Sequence, residues 1–223
     1  MTQGALARIF IVDDHPVFRF GLSALLRAEG LLPCGEAEDA SGVLARLPDA
    51  RADLVILDIS LAGGSGLALM KELKAHWPTL PVLALSMHDE RLFAERALRA
   101  GAIGYLSKSV DPQRLVEGIR RALRGELVIS AAITDVLLRR VNQRGGDGAP
   151  ASPVALLSDR ELEVLELMGQ GMGTREVAEA LHISVKTVET HQSNMKSKLG
   201  VRSSSELMRV AVSFVANPQG GWS

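Results

Sequence analysis

The sequence has little of what would place it in a membrane, outside the cell or around a zinc ion. It contains one cysteine, Cys34, among 223 residues, so no internal disulfide can form. No secretory segment opens the chain, and no long apolar run interrupts it. Its five histidines lack metal-ligand spacing relative to one another or to Cys34, which argues against zinc. We therefore predict a soluble cytoplasmic protein without a membrane partner.

The chain also lacks an excess of charge of either sign. Its 26 acidic residues nearly cancel 25 basic ones, so bulk charge indicates neither a nucleic acid nor a membrane surface as partner. Any such partner has to be read from local patches. The length and the 47% hydrophobic content are sufficient for two domains of ordinary size, each with its own core.

The first half of the chain alternates short apolar runs with amphipathic stretches, which is typical of a parallel sheet covered by helices on both faces. Helices are expected between the strands; in the first of them, Phe18, Leu22, Leu25 and Leu26 recur at helical spacing and predict a core face. The predicted strands are 8–13, 31–36, 53–58, 81–86 and 102–107.

The second half begins after a change in composition. Residues 142–155 are rich in Gly, Pro and Ala without periodicity, which predicts a flexible linker. Helix signals follow: Ser158 with Glu161, and Ser203 with Glu206, both fit the capping box. The predicted division is a first domain at 1–125, a linker with a short helix at 126–155, an all-helical domain at 156–217 and a tail at 218–223.

Polar side chains gather where the predicted strands end. The first strand ends in Asp13 and Asp14, the third in Asp58 and the fourth in Ser86, and the fifth leads into Lys108. Ligands of an open parallel sheet bind outside the carboxyl ends of its strands, so these side chains are expected to share one pocket. Clustered carboxylates need a cation, and oxygen ligands without His or Cys select Mg²⁺ or a similar divalent ion.

Such a pocket suits a phosphoryl group, because Mg²⁺ commonly completes its shell with phosphate oxygens. An aspartate can act as the nucleophile and form an acyl phosphate, while the metal and a lysine neutralise the developing charge. We assign Asp58 as this nucleophile, because it is the isolated acid on the middle strand and Asp13 and Asp14 lie beside it as ligands. Lys108 would pair with the phosphoryl oxygens, and Ser86 would donate its hydroxyl to one of them.

Four motifs, VDDH, LVILDISLAGGSG, LALSMHD and GAIGYLSKS in this order, resemble the receiver domain of bacterial response regulators of the NarL/FixJ type. The resemblance implies an α/β flavodoxin-like fold with a parallel five-stranded sheet of order 2-1-3-4-5. It also implies that a sensor histidine kinase is the partner that phosphorylates Asp58.

The same resemblance implies finer roles in the pocket. Asp14 would bind Mg²⁺ directly and Asp13 through water, with the backbone carbonyl of Ser60 as a further ligand. Tyr105 matches the aromatic residue that reorients as Ser86 moves onto the phosphate. Many receivers have proline after the lysine where this chain has a serine, and the cis or trans state of that peptide bond stays open.

Residues 174–200 carry the helix-start and turn signals of a helix-turn-helix. A short helix, a tight turn at 182–184 and a longer helix capped by Ser184 are predicted. On the longer helix, Val185, Val188, Met195 and Leu199 share one face and are expected to pack. The opposite face carries short polar groups that can approach base edges and phosphates.

The segments LSDRELEVL, EVAEALHISVKTVETH and KSKLGV resemble the LuxR-type helix-turn-helix. The resemblance implies that the helix at 185–199 enters the major groove of double-stranded DNA and that the last helix, 204–216, mediates dimerisation on two half-sites. The apolar stripe on that last helix is either a dimer surface or core. It comprises Leu207, Val210, Ala211 and Phe214.

Eight residues of the longer helix are candidates for DNA contact. Glu189 either accepts a hydrogen bond from cytosine or forms an ion pair within its helix. The resemblance implies that the base-reading positions are Glu189, Thr190 and Ser193. Lys186, Thr187, Asn194, Lys196 and Lys198 are the remaining candidates, of which Lys186, Thr187, Lys196 and Lys198 are placed nearer phosphates.

Taken together, these features predict a two-component response regulator rather than an enzyme: a homodimer when phosphorylated, whose DNA binding depends on Asp58 and Mg²⁺. A helix-turn-helix regulator without phosphorylation control is one alternative. An aspartate-nucleophile phosphatase is a weaker one, since it would need an acid/base aspartate just after Asp58, where Ile59 and Ser60 stand. A metabolite sensor is disfavoured because it would not need the acidic cluster.

Overall fold

The computed structural model describes residues 6–61, 64–131, 133–135 and 153–216. The chain divides into two compact units, Met1–Leu137 and Leu138–Ser223. The strands of the first unit are β1 (Arg8–Val12), β2 (Leu32–Ala37), β3 (Leu54–Asp58), β4 (Ser60–Leu61), β5 (Gly64–Ser65), β6 (Val82–Ser86) and β7 (Gly104–Ser107). Its helices include α1 (Pro16–Ala28), α2 (Ala40–Ala50), α3 (Gly66–His76), α4 (Glu90–Arg99) and α5 (Pro112–Leu123).

Five of these strands form a single parallel sheet in the order β2-β1-β3-β6-β7. The central strands RIFIV, LVILD and VLALS are almost entirely buried, as expected of strands covered on both faces. Numbered within this sheet alone, the order is 2-1-3-4-5, so the predicted α/β flavodoxin-like fold is confirmed. The first strand begins at the predicted residue 8, and the other four begin one or two residues later than predicted.

The carboxyl ends of β1 and β3 lie side by side, because Val12 pairs with Leu57 in the parallel register. From β1 the chain passes to β2 on one side, whereas β3 lies on the other, so a crevice opens between the two strand ends. Helix α1 begins at this edge with Pro16 in its first turn, where a missing N–H has no consequence.

Helix α3 also begins at this edge and approaches β3 very closely. A Cβ atom at Gly66 would lie 2.2 Å from the carbonyl oxygen of Asp58 and 2.5 Å from Cα of Ile59, so only glycine fits there. The short antiparallel pair β4–β5 joins β3 to α3. The GGSG run at 63–66 therefore ends in a close-packing glycine; residues 62 and 63 lie outside the described residues.

The segment that follows α5 adds to the free edge of the sheet. Val128 forms a bridge with Gly104, its carbonyl accepts the amide of Tyr105 at 2.7 Å, and its side chain is 2% exposed. The predicted linker, 126–155, thus starts with residues packed on β7. Its stretch 136–152 lies outside the described residues, and our domain boundaries stay predictions.

In the described part of the second unit the regular elements are helical, as predicted. A 3₁₀ helix (Pro153–Leu156) precedes α6 (Asp159–Gly169), α7 (Thr174–Ala180), α8 (Val185–Leu199) and α9 (Ser204–Ala216). The turn between α7 and α8 contains His182 at a φ of 52°, and Ser184 caps α8. Gly200 ends α8 in the left-handed region at a φ of 70°. Among the described residues, no helix is long and apolar enough to cross a membrane.

Candidate acidic site and candidate nucleic-acid interface

Asp13, Asp14 and Asp58 converge at the carboxyl edge of the sheet, together with His15. One ligand atom from each of the four lies within 4.8 Å of all the others. Asp13 and Asp58 are 2% and 1% exposed, so their carboxylates have lost nearly all contact with bulk water. The structure therefore brings the three predicted acids into one pocket. The positions follow from the neighbouring ends of β1 and β3 and need no special loop.

Lys108 compensates the two buried acids. Its Nζ lies 2.6 Å from Oδ2 of Asp13 and 2.5 Å from Oδ2 of Asp58, and its side chain is 5% exposed. The backbone holds it there, since the amide of Lys108 donates to the carbonyl of Ser86 at 2.7 Å. The peptide bond to Ser109 is trans, because the described chain contains no cis bond.

The charges in this pocket shift each other's pKa values. Burial raises the pKa of Asp58 from 3.8 to about 6, with Lys108 opposing the rise and Asp13 adding to it. Burial alone would lower the pKa of Lys108, but the facing Asp58 and Asp13 outweigh it and raise that pKa above 10.5. Near pH 7 the pocket therefore holds an ammonium and an Asp58 that is mostly carboxylate.

The donor set of the pocket fits a hard divalent cation. Three carboxylates from two strand ends offer oxygen atoms within a space of metal-site size, which suits Mg²⁺. His15 lies at the rim, 56% exposed, with Nδ1 2.7 Å from Oδ1 of Asp14. The amide of Ser60 donates to Oδ1 of Asp58 at 2.9 Å, which keeps the β4 backbone next to the acid.

Ser86 and Tyr105 lie beside the pocket on neighbouring strands. Ser86 is fully buried, and it directly follows Leu85, which pairs with Asp58 in the parallel register. Its Oγ accepts a hydrogen bond from the amide of His88 at 3.1 Å. Tyr105 is also fully buried, and its hydroxyl donates to the carbonyl of His88 at 2.8 Å. Both side chains thus contact the same short loop after β6.

Three residues near the pocket were not singled out from the sequence as functional. Arg19 donates from NH1 to the carbonyl of Asp13 at 2.6 Å, and Gly66 packs on the backbone of Asp58. Phe18 was assigned to the core by its spacing, yet Nζ of Lys108 lies 4.5 Å from its ring centroid. Of the three, only Gly66 had a signal in the sequence, the GGSG run.

Helix α8 presents most of its predicted DNA-contacting residues to solvent. Six are exposed, and Thr187 and Lys196 are half-buried. The exposed ones are Lys186, Glu189, Thr190, Ser193, Asn194 and Lys198. Lys198 is also engaged within the domain, because its Nζ lies 2.7 Å from Oε2 of the buried Glu161. Glu189 is exposed, and no ion pair of its carboxylate is found among the described residues.

The packing faces of the second unit are partly as expected. Val188 and Met195 are fully buried, but Val185 is 39% exposed at the first turn of α8 and Leu199 is half-buried at its last turn. On α9, Leu207, Ala211 and Phe214 are buried in the domain, whereas Val210 is half-buried. Most of the apolar stripe that could have been a dimer surface therefore belongs to the core.

A flavodoxin-like sheet with a buried acidic pocket at its switch point, joined to a helix-turn-helix unit, defines a DNA-binding regulator controlled through that pocket. A model of the response regulator receiver domain matches residues 9–120, and one of the LuxR family of bacterial regulatory proteins matches residues 155–211. The chain belongs to the bacterial response regulators that combine these two domains.

Relatives with this architecture cover nearly the whole chain. It is 38% identical over 206 residues to the transcriptional activator protein ExaE of Pseudomonas putida. The matched region covers 92% of this chain and 95% of that relative. The chain is 34% identical over 210 residues to the oxygen regulatory protein NreC of Staphylococcus epidermidis, at 92% and 96% coverage. A structure of RcsB from Salmonella enterica serovar Typhimurium, bound to promoter rprA in the presence of phosphomimetic BeF₃⁻, is 27% identical with a TM-score of 0.58, covering 93% of this chain and 98% of that one.

Proposed function

We propose that Asp58 accepts a phosphoryl group from a sensor histidine kinase and that this modification controls binding of the second unit to double-stranded DNA. The observation that carries the proposal is the buried Asp58 carboxylate, 2.5 Å from the Lys108 ammonium, within a cluster of acids of metal-site size. The reaction would take place in the cytoplasm, because both the kinase domain that donates the phosphoryl group and the chromosomal DNA are accessible there.

The transfer exchanges one bond to phosphorus for another. A carboxylate oxygen of Asp58 forms the new P–O bond while the bond from phosphorus to the imidazole nitrogen of the kinase, or to the leaving oxygen of a small donor, breaks. Lys108 moves its ion pair from the carboxylate to a phosphoryl oxygen, and the Ser86 hydroxyl donates to another. Bound Mg²⁺, held by Asp13, Asp14 and Asp58 with the Ser60 carbonyl, would neutralise charge on the phosphoryl oxygens.

The product stays on the protein, so the chain acts as a phosphoacceptor and not as an enzyme toward a free phosphoester. Ile59 and Ser60 follow Asp58, and neither supplies the acid/base carboxylate that a phosphatase of this nucleophile class would need.

A route from the pocket to the linker is supported by hydrogen bonds around Tyr105. Its hydroxyl contacts the His88 carbonyl in the loop after Ser86, and its amide contacts the carbonyl of Val128. A further bond joins the amide of Ser130 to Oε1 of Glu90 at the start of α4, at 3.0 Å. A rearrangement of Ser86 and Tyr105 would therefore act directly on the residues that lead out of the first unit.

Phosphorylation is expected to increase DNA affinity about 5-fold to 150-fold, the usual range of coupling between two sites. Duplexes selected from a random-sequence library by the acetyl-phosphate-treated protein supply the probe, and fluorescence anisotropy gives the affinity at fixed salt. Asp58→Asn should show no response to acetyl phosphate. An equal affinity of treated and untreated wild type for the selected duplexes would favour a regulator without phosphorylation control. Size-exclusion chromatography with light scattering on the same samples tests the proposed phosphorylation-dependent homodimer.

Glu189 offers a sharper test of how α8 meets DNA. A carboxylate facing the major groove is repelled by phosphates and is favourable only against a base donor such as cytosine N4, so Glu189→Ala should lose the preference at one base position. The loss of discrimination should be about 1–3 kcal/mol, read from a random duplex library. Glu179→Ala, which removes an exposed acid of α7, is the matched control and should leave the preferences unchanged. Uniformly tighter binding by Glu189→Ala, with the same base preferences, would contradict base reading.

A further inference from the structure

We infer that Phe18 is a positioning residue for Lys108 in the phosphoryl-transfer pocket; this inference rests on the proposed function of that pocket. The ammonium has two carboxylate partners, Asp13 and Asp58, and the ring of Phe18 as a third neighbour. The centroid of the ring lies 4.5 Å from Nζ, within the range of a cation–π interaction. Phe18 lies in the first turn of α1, the helix that follows the acidic residues at the end of β1.

The burial of Lys108 makes this contact important. The lysine side chain is 5% exposed, so the ammonium has lost its water, and each remaining neighbour has to replace part of that hydration. An aromatic face does so by its quadrupole without adding a hydrogen-bond acceptor that would compete for the ammonium protons. A leucine of similar bulk would fill the space but leave that side of the charge without compensation.

The reaction needs an ammonium that can change its partner while it stays in place. Before transfer Lys108 pairs with both acids, and during transfer it has to follow the charge that develops on the phosphoryl oxygens. A neutral neighbour that is the same before and after transfer keeps Nζ near the reacting atoms while its ion pairs rearrange. The half-buried Phe18 also packs against the core, so its structural role has to be separated from its role toward Lys108.

The test compares Phe18→Leu, which keeps apolar bulk, with Phe18→Tyr, which keeps the aromatic face. With Mg²⁺ and acetyl phosphate, followed by intact mass, Phe18→Leu should form the Asp58 adduct about 3-fold to 30-fold more slowly, or about 0.6–2 kcal/mol at 1.36 kcal/mol per tenfold. Phe18→Tyr should stay within about twofold of wild type. Phe20→Leu makes the same change at a 78% exposed phenylalanine of the same helix, and it should leave the rate unchanged with this small donor.

A double-mutant cycle with Lys108→Ala separates positioning from packing. Phe18→Leu should slow the residual reaction of Lys108→Ala little or not at all, because the charge that it acts on is gone. If Lys108→Ala does not fold, the Leu and Tyr variants decide alone. Equal rates for wild type and Phe18→Leu, or equal slowing by Leu and Tyr, would overturn the inference.

The failure of the proposed function gives a different pattern. Wild type would then form no Asp58-dependent adduct at all, whatever residue stands at position 18. In that case the same double-mutant cycle is measured by urea unfolding without Mg²⁺. If the losses in unfolding free energy caused by Phe18→Leu and Lys108→Ala are non-additive, they still support the contact between the two side chains, and additive losses would overturn it.

Discussion

The protein incubated with Mg²⁺ and acetyl phosphate is expected to gain one phosphoryl group, and Asp58→Asn is expected to gain none. The effect should be all or nothing, because an amide is not a nucleophile at this position and the other acids of the pocket are metal ligands in the proposed function. Asp58 also has the geometry for transfer: Lys108 touches one of its oxygens and the Ser60 amide touches the other. Intact mass measures the adduct directly.

Controls decide whether the adduct belongs to the pocket. Asp49→Asn removes an exposed acid of α2 and should leave the adduct unchanged, whereas chelation of Mg²⁺ should abolish it. An adduct that persists in Asp58→Asn would move the acceptor to another residue. No adduct on wild type, with a cognate kinase also unable to label it, would leave a helix-turn-helix regulator whose control lies elsewhere.

Lys108→Ala is expected to lower the free energy of unfolding of the first unit by about 3–5 kcal/mol near pH 7.5 without Mg²⁺. The substitution leaves the buried carboxylates of Asp13 and Asp58 close to each other with no ammonium between them. Urea unfolding followed by Trp77 fluorescence, in a Trp222→Phe background, measures the loss. Mg²⁺ should restore part of it, because a divalent ion among the same acids replaces the missing positive charge.

The same loss should depend on pH in a defined direction. The folded-state pKa of Asp58 is raised from 3.8 to about 6, chiefly by burial, so its contribution to stability is fully present below about 3.8 and is lost as pH rises through about 6. Without Lys108, which lowers that pKa, the carboxyl takes up a proton still more readily. The difference between wild type and Lys108→Ala should therefore be small near pH 5 and grow as pH rises to about 8. A difference of the same size at both pH values would contradict the pairing.

Much of the fold could be predicted from the sequence, because its signals are local. The buried runs RIFIV, LVILD and VLALS read as strands by themselves, and Ser158 with Glu161 forms the predicted capping box. Strand ends are also local, so the convergence of Asp13, Asp58 and Lys108 followed once a parallel sheet was expected.

Other features depended on residues that are distant along the chain. Helical spacing put Phe18 in the core correctly but did not indicate that an ammonium 90 residues later would lie over its ring. The GGSG run likewise did not indicate that Gly66 would approach Asp58, and the docking of Val128 on β7 has no local signature. Such contacts are set by how helices and extra segments pack on the sheet, which short-range periodicity does not encode.

The sequence by itself thus determined the strands and the acidic residues at their ends, since these depend on residue type and on spacing along the chain. The order of the sheet, the class of protein and the candidate DNA-contacting residues came from the resemblance to receiver and LuxR-type domains. Only the tertiary structure decided how the charges are compensated: Lys108 lies between Asp13 and Asp58, Lys198 pairs with Glu161, and Glu189 is left without an ion-pair partner among the described residues. Ion pairing depends on separations of a few ångströms between side chains from different elements, and these are settled only when the elements pack.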